Sequence, residues 1–119
     1  MHVLLINGSP HEKGCTYTAL SLVAGELNAA GITTEILNVG TKPVGGCIGC
    51  GGCAKGNGCV FGGVVNEAIE KARTADAFVF GTPVHYASAS GNMTSFLDRL
   101  AYAGGKYLAY KPAAICCCA

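Results

Sequence analysis

Apolar residues along the chain fall into short unbroken runs and into longer, spaced sets. The first run, "HVLLI" from His2 to Ile6, is closed at once by Asn7, Gly8, Ser9 and Pro10, which predicts a strand buried on both faces. From Thr16 to Ala30 the pattern changes: Leu20, Val23, Ala24 and Leu27 recur at helical spacing, and Gly31 supplies a stop. Ile32 to Val39 alternates and reads as a second strand. Val65, Ala68, Ile69 and Ala72 predict a second helix ending near Ala75. "AFVF", Ala77 to Phe80, is a third strand with a turn directly after it. Met93, Phe96, Leu97 and Leu100 mark a third helix, and "AAICCC", Ala113 to Cys118, a fourth strand.

Strands alternating with helices predict a parallel α/β sheet, doubly wound, with helices on both faces. Such a sheet binds ligands beyond the carboxyl ends of its strands, where the strand order reverses. The loops after the first and third strands belong there, and both are rich in Gly, Ser, Thr and Pro. The 119 residues make one domain, with no repeat, low-complexity tract or linker. Doubly wound sheets usually carry five or more strands, whereas the pattern supplies four. The expectation is a fold truncated after the fourth strand, its open edge covered by a partner; a homo-oligomer is expected on that ground.

Composition narrows the function classes. Apolar residues make up 50% and charged residues 13% of the chain, which argues for an ordered core. Eight basic and seven acidic residues leave a formal charge of +1, giving no electrostatic footprint for nucleic acid or an anionic membrane. No apolar run has the ~20 residues of a membrane span. The N-terminus lacks the basic and long apolar regions of a signal peptide, so the chain is read as cytoplasmic. In a reducing compartment its eight cysteines suggest metal, redox chemistry or burial rather than disulfides.

"NGSPHEKGCT", Asn7 to Thr16, joins the first strand to the first helix, where backbone amides and a helix N-terminus favour an anion. No Lys precedes Thr16, so the loop is not a Walker A motif, and it does not match G-x-G-x-x-G. Ser9, Thr16 and Thr18 remain as hydroxyl donors; alternatively the stretch is an ordinary loop with Thr16 as N-cap.

The segment "GTPVHYASASGNMTSFLDR", Gly81 to Arg99, follows the third strand. Together with "LLINGSPHEKGCT" it resembles the flavodoxin-like NAD(P)H-dependent FMN reductases, over nearly the whole chain. The resemblance implies FMN at the carboxyl end of the sheet. Ser9, His11, Cys15 and Thr16 fall where that family surrounds the FMN phosphate, although Cys15 departs from the expected Asn or Ser. Thr82, Pro83, Val84, His85 and Tyr86 fall where the family edges the isoalloxazine ring. Tyr86 would then offer an aromatic wall with a polar tip, the alternative being a core position. His85 is given no acid–base role, since hydride transfer to flavin needs none, and Asp98 and Arg99 read as a solvated or interface face of the third helix.

Cys47, Cys50, Cys53 and Cys59 are spaced C-x2-C-x2-C-x5-C in a Gly-rich loop. Thiols this close suit a [4Fe–4S] cluster better than zinc, whose ribbons separate two C-x2-C pairs by a longer stretch. The arrangement is similar to that of the iron–sulfur flavoproteins of the same superfamily, which implies these four as cluster ligands; the loop could equally be a wall near the flavin without any cluster. Cys116, Cys117 and Cys118 alternate faces of a strand, cannot converge on one metal, and are expected to be buried strand residues. The combined expectation is an oxidoreductase using FMN, with NAD(P)H as donor and a small molecule or protein as acceptor. An iron–sulfur electron carrier is the first alternative and a non-catalytic flavin-binding redox sensor the second.

Overall fold

In a computed structural model that describes residues 1–119, the first apolar run forms strand β1 (His2–Asn7), buried from Val3 to Asn7. Its alternation explains the layers. Leu4 and Ile6 join the larger core cluster with Val65, Ile69, Phe78 and Phe96, while Val3 and Leu5 join a smaller one with Leu20, Ala24 and Val79. Each such side chain, taken out of water, contributes about 1.5–3 kcal/mol. Helix α1 (Cys15–Ala29) supplies the small cluster. Helices α2 (Val64–Thr74) and α3 (Gly91–Leu108) cover the opposite face. The result is the expected helix–sheet–helix sandwich of flavodoxin-like α/β architecture.

Strands β2 (Thr33–Asn38), β1, β3 (Ala77–His85) and β5 (Ala113–Cys118) lie side by side in that order, all parallel. The order turns back between β1 and β3, because β2 lies on one side of β1 and β3 on the other. At the carboxyl ends of these two strands the loops diverge and open a crevice.

Three expectations need correction. The third strand does not stop at Phe80: it runs on to His85, then pairs antiparallel with a short strand, β4 (Ser88–Ala89), so the sheet has five strands. Gly81, Thr82 and Pro83 read as a turn, yet β5 pairs with this stretch and holds it extended, up to Pro83 against Cys118. Second, Cys116–Cys118 are not buried. Cys116 packs at the margin of the α1 cluster, but Cys117 is exposed and Ile115 is 77% exposed. They lie in the strand furthest from β2: Cys116 faces the α1 side, while Ile115 and Cys117, on the alternate face, are left uncovered. Third, Leu97 lies on the exposed side of α3, whereas Arg99, expected to be solvated, is only 8% exposed. Asp98 is exposed as expected. No helix of the chain is long and apolar enough to cross a membrane.

Candidate functional site

The first loop is shaped by Asn7, which is fully buried. Its Oδ1 accepts the Ser9 amide at 3.1 Å, and its Nδ2 donates to Asn38 Oδ1 at 2.9 Å. This side chain bends the chain out of β1 while tying it to the end of β2. Ser9 is buried, and its Oγ accepts the His11 amide at 3.1 Å; His11 itself is exposed. Gly40, just after β2, presses on the same loop. A Cβ there would stand 2.3 Å from the Gly8 carbonyl oxygen and 2.4 Å from that of Ser9, so only glycine allows the approach.

The loop ends at an uncapped helix. The N-cap of α1 is Gly14, with no side-chain hydrogen bond to the first turn, and not Thr16. The first helical amide with a backbone partner is that of Thr18, which donates to the Gly14 carbonyl at 3.0 Å. The amides of Cys15, Thr16 and Tyr17 precede it and point out of the helix end. No acidic residue stands in this turn. Cys15, the first helical residue, is exposed. Thr16 is only 2% exposed, its methyl group lying toward Gly81. Free amides, a positive helix end and flanking hydroxyls are chemically fitted to a phosphate.

Ser90 joins this loop to the one after β3. It is the N-cap of α3, with its Oγ accepting the Met93 amide at 3.2 Å and donating to the Gly8 carbonyl at 2.9 Å. Its own amide donates to Thr82 Oγ1 at 3.1 Å, and that hydroxyl donates in turn to the Pro83 carbonyl at 2.9 Å. Thr82 is therefore buried and committed to the hairpin. Between the loops lies a polar cleft of about 270 Å³, lined by Gly8, Pro10, His85, Ser90, Gly91 and Asn92. Of the nine expected cofactor contacts, His85 alone lines this cleft; Ser9 and Thr16 are buried in the first loop and its helix. Pro83 is half-buried and Val84 exposed on the hairpin. Tyr86 occupies the tip, fully exposed (107%) and at φ 62°, left-handed backbone that a bulky residue adopts only at a cost of about 1–2 kcal/mol.

The cysteine loop is a second candidate site. Cys47, Cys50, Cys53 and Cys59 all line one cavity of about 200 Å³. Ile48, Val60, Phe61 and Tyr102 give it an apolar wall. All eight cysteines of the chain are free thiols. A single 3₁₀ turn, Gly52–Lys55, carries Cys53 and is flanked by Gly51 and Gly56 at φ 71° and 83°. Side chains from two helices hold the loop's ends. Asn92 accepts the Val44 amide at 3.1 Å and donates to the Gly40 and Lys42 carbonyls. Asn66 accepts the Cys59 amide at 2.8 Å and donates to the Cys59 carbonyl at 2.9 Å. Arg99 donates to Cys59 Sγ at 3.3 Å. Burial pushes the Cys59 thiol up, but the Phe61 amide, the hydrogen bond and charge of Arg99, and the Gly62 amide outweigh it and hold the thiol below its usual range.

No three His, Cys, Asp or Glu side chains converge as ligands of a single ion. A four-iron cube takes one thiolate on each iron and spreads its ligands around a wider perimeter, so four thiols around a shared cavity, without His or carboxylate, fit that group chemically. The eight residue steps from Gly91 at the polar cleft to Arg99 at the cysteine cavity span about 12 Å of α3.

Asn7, Asn66, Ser90, Asn92 and Arg99 were not expected to organise these sites. Two carried a readable signal: Asn7 before Gly8 is an Asx-turn pattern, and Ser90 before the apolar spacing of α3 is an N-cap pattern. The other three act across the fold, over separations of 7 to 54 residues, and had none.

An iron–sulfur flavoprotein of Archaeoglobus fulgidus is 33% identical over 99 residues, covering 83% of this chain and 48% of that protein. One from Methanocaldococcus jannaschii is 30% identical over 99 residues, 83% of this chain and 51% of that protein. The chain thus spans about half the length of the curated relatives it matches. Among solved structures, an NAD(P)H:quinone oxidoreductase from Methanothermobacter marburgensis superposes with a TM-score of 0.73 at 21% identity, covering 98% of this chain and 64% of that one. That likeness is one of fold, and it is the fold derived above from strand order and layers. The match to the family described as NADPH-dependent FMN reductase extends over residues 1–119, and the chain belongs to that family.

Proposed function

We propose that the chain is the FMN-binding part of an NAD(P)H-dependent oxidoreductase. The observation that carries this reading is the Ser90–Gly8 hydrogen bond, which joins an uncapped helix end to the hairpin after β3 across one cleft. The amides of Cys15, Thr16 and Tyr17, with the hydroxyls of Ser9 and Thr16, would hold the phosphate. His11 would stand at its solvent side. The backbone from Thr82 to His85 would edge the ring, and exposed Tyr86 would cover it. Bound FMN would accept a hydride from the nicotinamide and pass electrons on to a small-molecule or protein acceptor. The protein's part is to bind, orient and exclude water, so no side chain is assigned a proton-transfer role.

Titrating the FMN-free protein with FMN, by flavin fluorescence and calorimetry, tests the reading. Saturable uptake is expected, weakened by Ser9→Ala and Thr16→Ala, together with NAD(P)H oxidation that depends on added FMN. Uptake without turnover would favour a flavin-binding redox sensor; no uptake by folded protein would refute the proposal.

A second reading is favoured by the four thiols around one cavity and by the names of the curated relatives. Cys47, Cys50, Cys53 and Cys59 would hold a [4Fe–4S] cluster, which supplies one-electron chemistry beside the two-electron chemistry of FMN. Anaerobic iron and sulfide analysis separates the readings: a chain that takes up flavin but no iron is a reductase without the carrier function. A homo-oligomer in the cytoplasm is part of the same proposal, supported by exposed Ile115 on β5 and by exposed Ile48, Val60 and Phe61. Light scattering showing a monomer at micromolar concentration would count against it.

A further inference from the structure

Arg99 is a cation more than nine-tenths buried, on a helix otherwise packed through Met93, Phe96 and Leu100. None of the chain's ion pairs includes it. A buried charge without a counter-ion is costly, and side chains of this kind persist where an anion or a set of acceptors answers them. What answers Arg99 is the cysteine loop. Its Nη1 donates to the Gly45 carbonyl at 3.3 Å and its Nη2 to the Gly62 carbonyl at 2.9 Å, at opposite ends of the loop. Its Nε donates to Cys59 Sγ, and the side chain lines the same cavity as all four thiols. A planar fork of donors can span three acceptors in this way; the ammonium of lysine, a point donor, cannot.

The geometry points to Arg99 as the positioning and charge-balancing residue of the cysteine cavity: its guanidinium clasps the two ends of the loop, turns Cys59 toward the other thiols, and supplies the one buried positive charge facing an iron–sulfur cluster held by them. The inference rests on the cluster reading above and adds to it a residue outside the cysteine motif. A cluster on four thiolates is anionic, and becomes more so on taking up an electron from its donor. A fixed guanidinium at its edge therefore favours both the loaded and the reduced form.

The test uses the full chain with Arg99→Lys, which keeps the charge but not the fork, and Arg99→Met, which keeps neither. In iron-free protein, amide hydrogen exchange over residues 45–62 is expected to quicken by at least about tenfold in Arg99→Met and by less in Arg99→Lys. After anaerobic loading with ferrous iron and sulfide, the wild-type chain should hold about four irons. Arg99→Met should retain less than about half as much through desalting, and its midpoint potential in a dithionite titration should fall, with Arg99→Lys between. FMN uptake should be unchanged in both variants and reports that the fold is intact. If Arg99→Met does not take up FMN, Arg99→Lys decides by the same measurements. Unchanged exchange together with unchanged iron retention overturns the inference. A wild-type chain that binds FMN but no iron overturns the cluster reading and with it the charge-balancing role, while exchange in the variants then decides the clasp by itself.

Discussion

Replacing Ser90 by alanine tests the link between the two loops most directly. The side chain is 2% exposed and makes two hydrogen bonds, as acceptor from the Met93 amide and donor to the Gly8 carbonyl. Loss of an N-cap costs about 1 kcal/mol. Leaving the buried Gly8 carbonyl without its partner costs about 1 kcal/mol more. Ser90→Ala should therefore destabilise the protein by about 2 kcal/mol. With an m-value of about 1.5 kcal/mol/M, that lowers the urea midpoint by roughly 1.3 M at unchanged m. The comparison is Thr94→Ala, one turn further on, whose hydroxyl donates to the Ser90 carbonyl at 3.3 Å from an exposed residue and should change stability by less than about 0.5 kcal/mol. Because the carbonyl released belongs to the proposed phosphate loop, FMN affinity of the folded fraction should fall by about tenfold. A loss below about 0.5 kcal/mol, or full FMN affinity in a destabilised variant, would refute the idea that Ser90 couples the loops.

Tyr86→Gly should raise stability by about 1 kcal/mol in urea, by relieving the left-handed backbone, while weakening FMN uptake. An unchanged flavin affinity would remove Tyr86 from the site. Gly40→Ala places a methyl group within 2.5 Å of Gly8 and Ser9 backbone atoms, so urea unfolding should show a loss of about 1–3 kcal/mol. Lys71 is raised above its ordinary range chiefly by its hydrogen bond to Glu35, which outweighs burial, with the charges of Glu35 and Glu67 adding to it. The unfolded chain then releases this proton first as pH rises, so the pair's stabilisation is whole below about pH 10.4 and fades above it. The gap in stability between wild type and Lys71→Met should shrink in urea unfolding above that pH; a gap that widens would contradict the assignment.

The layers of this fold were readable because β1 and the first half of β3 are apolar runs and the helices carry spaced apolar sets, and apart from Leu97 burial follows those patterns. The hairpin after β3 was not readable, because Gly81, Thr82 and Pro83 have turn chemistry and are held extended only by pairing with β5, thirty-odd residues away. Cys116–Cys118 misled for the opposite reason: an apolar run says that a strand forms, but not that helices cover both its faces. The loop proposed for the phosphate could be placed between a buried strand and a helix, yet its shape depends on Asn7 reaching Asn38 and on Gly40 pressing from the end of the next strand. Arg99 beside Asp98 looks like surface charge, and only the folded-back cysteine loop makes it interior.

Helix α3 carries Ser90 and Asn92 at one end and Arg99 two turns further along. The proposed flavin cleft and the thiol cavity are therefore mounted on a common spine, held to the sheet through Met93, Phe96 and Leu100. Repacking those three side chains, which touch neither pocket, would tilt both pockets together, and neither could be retuned by a shift of this helix without disturbing the other.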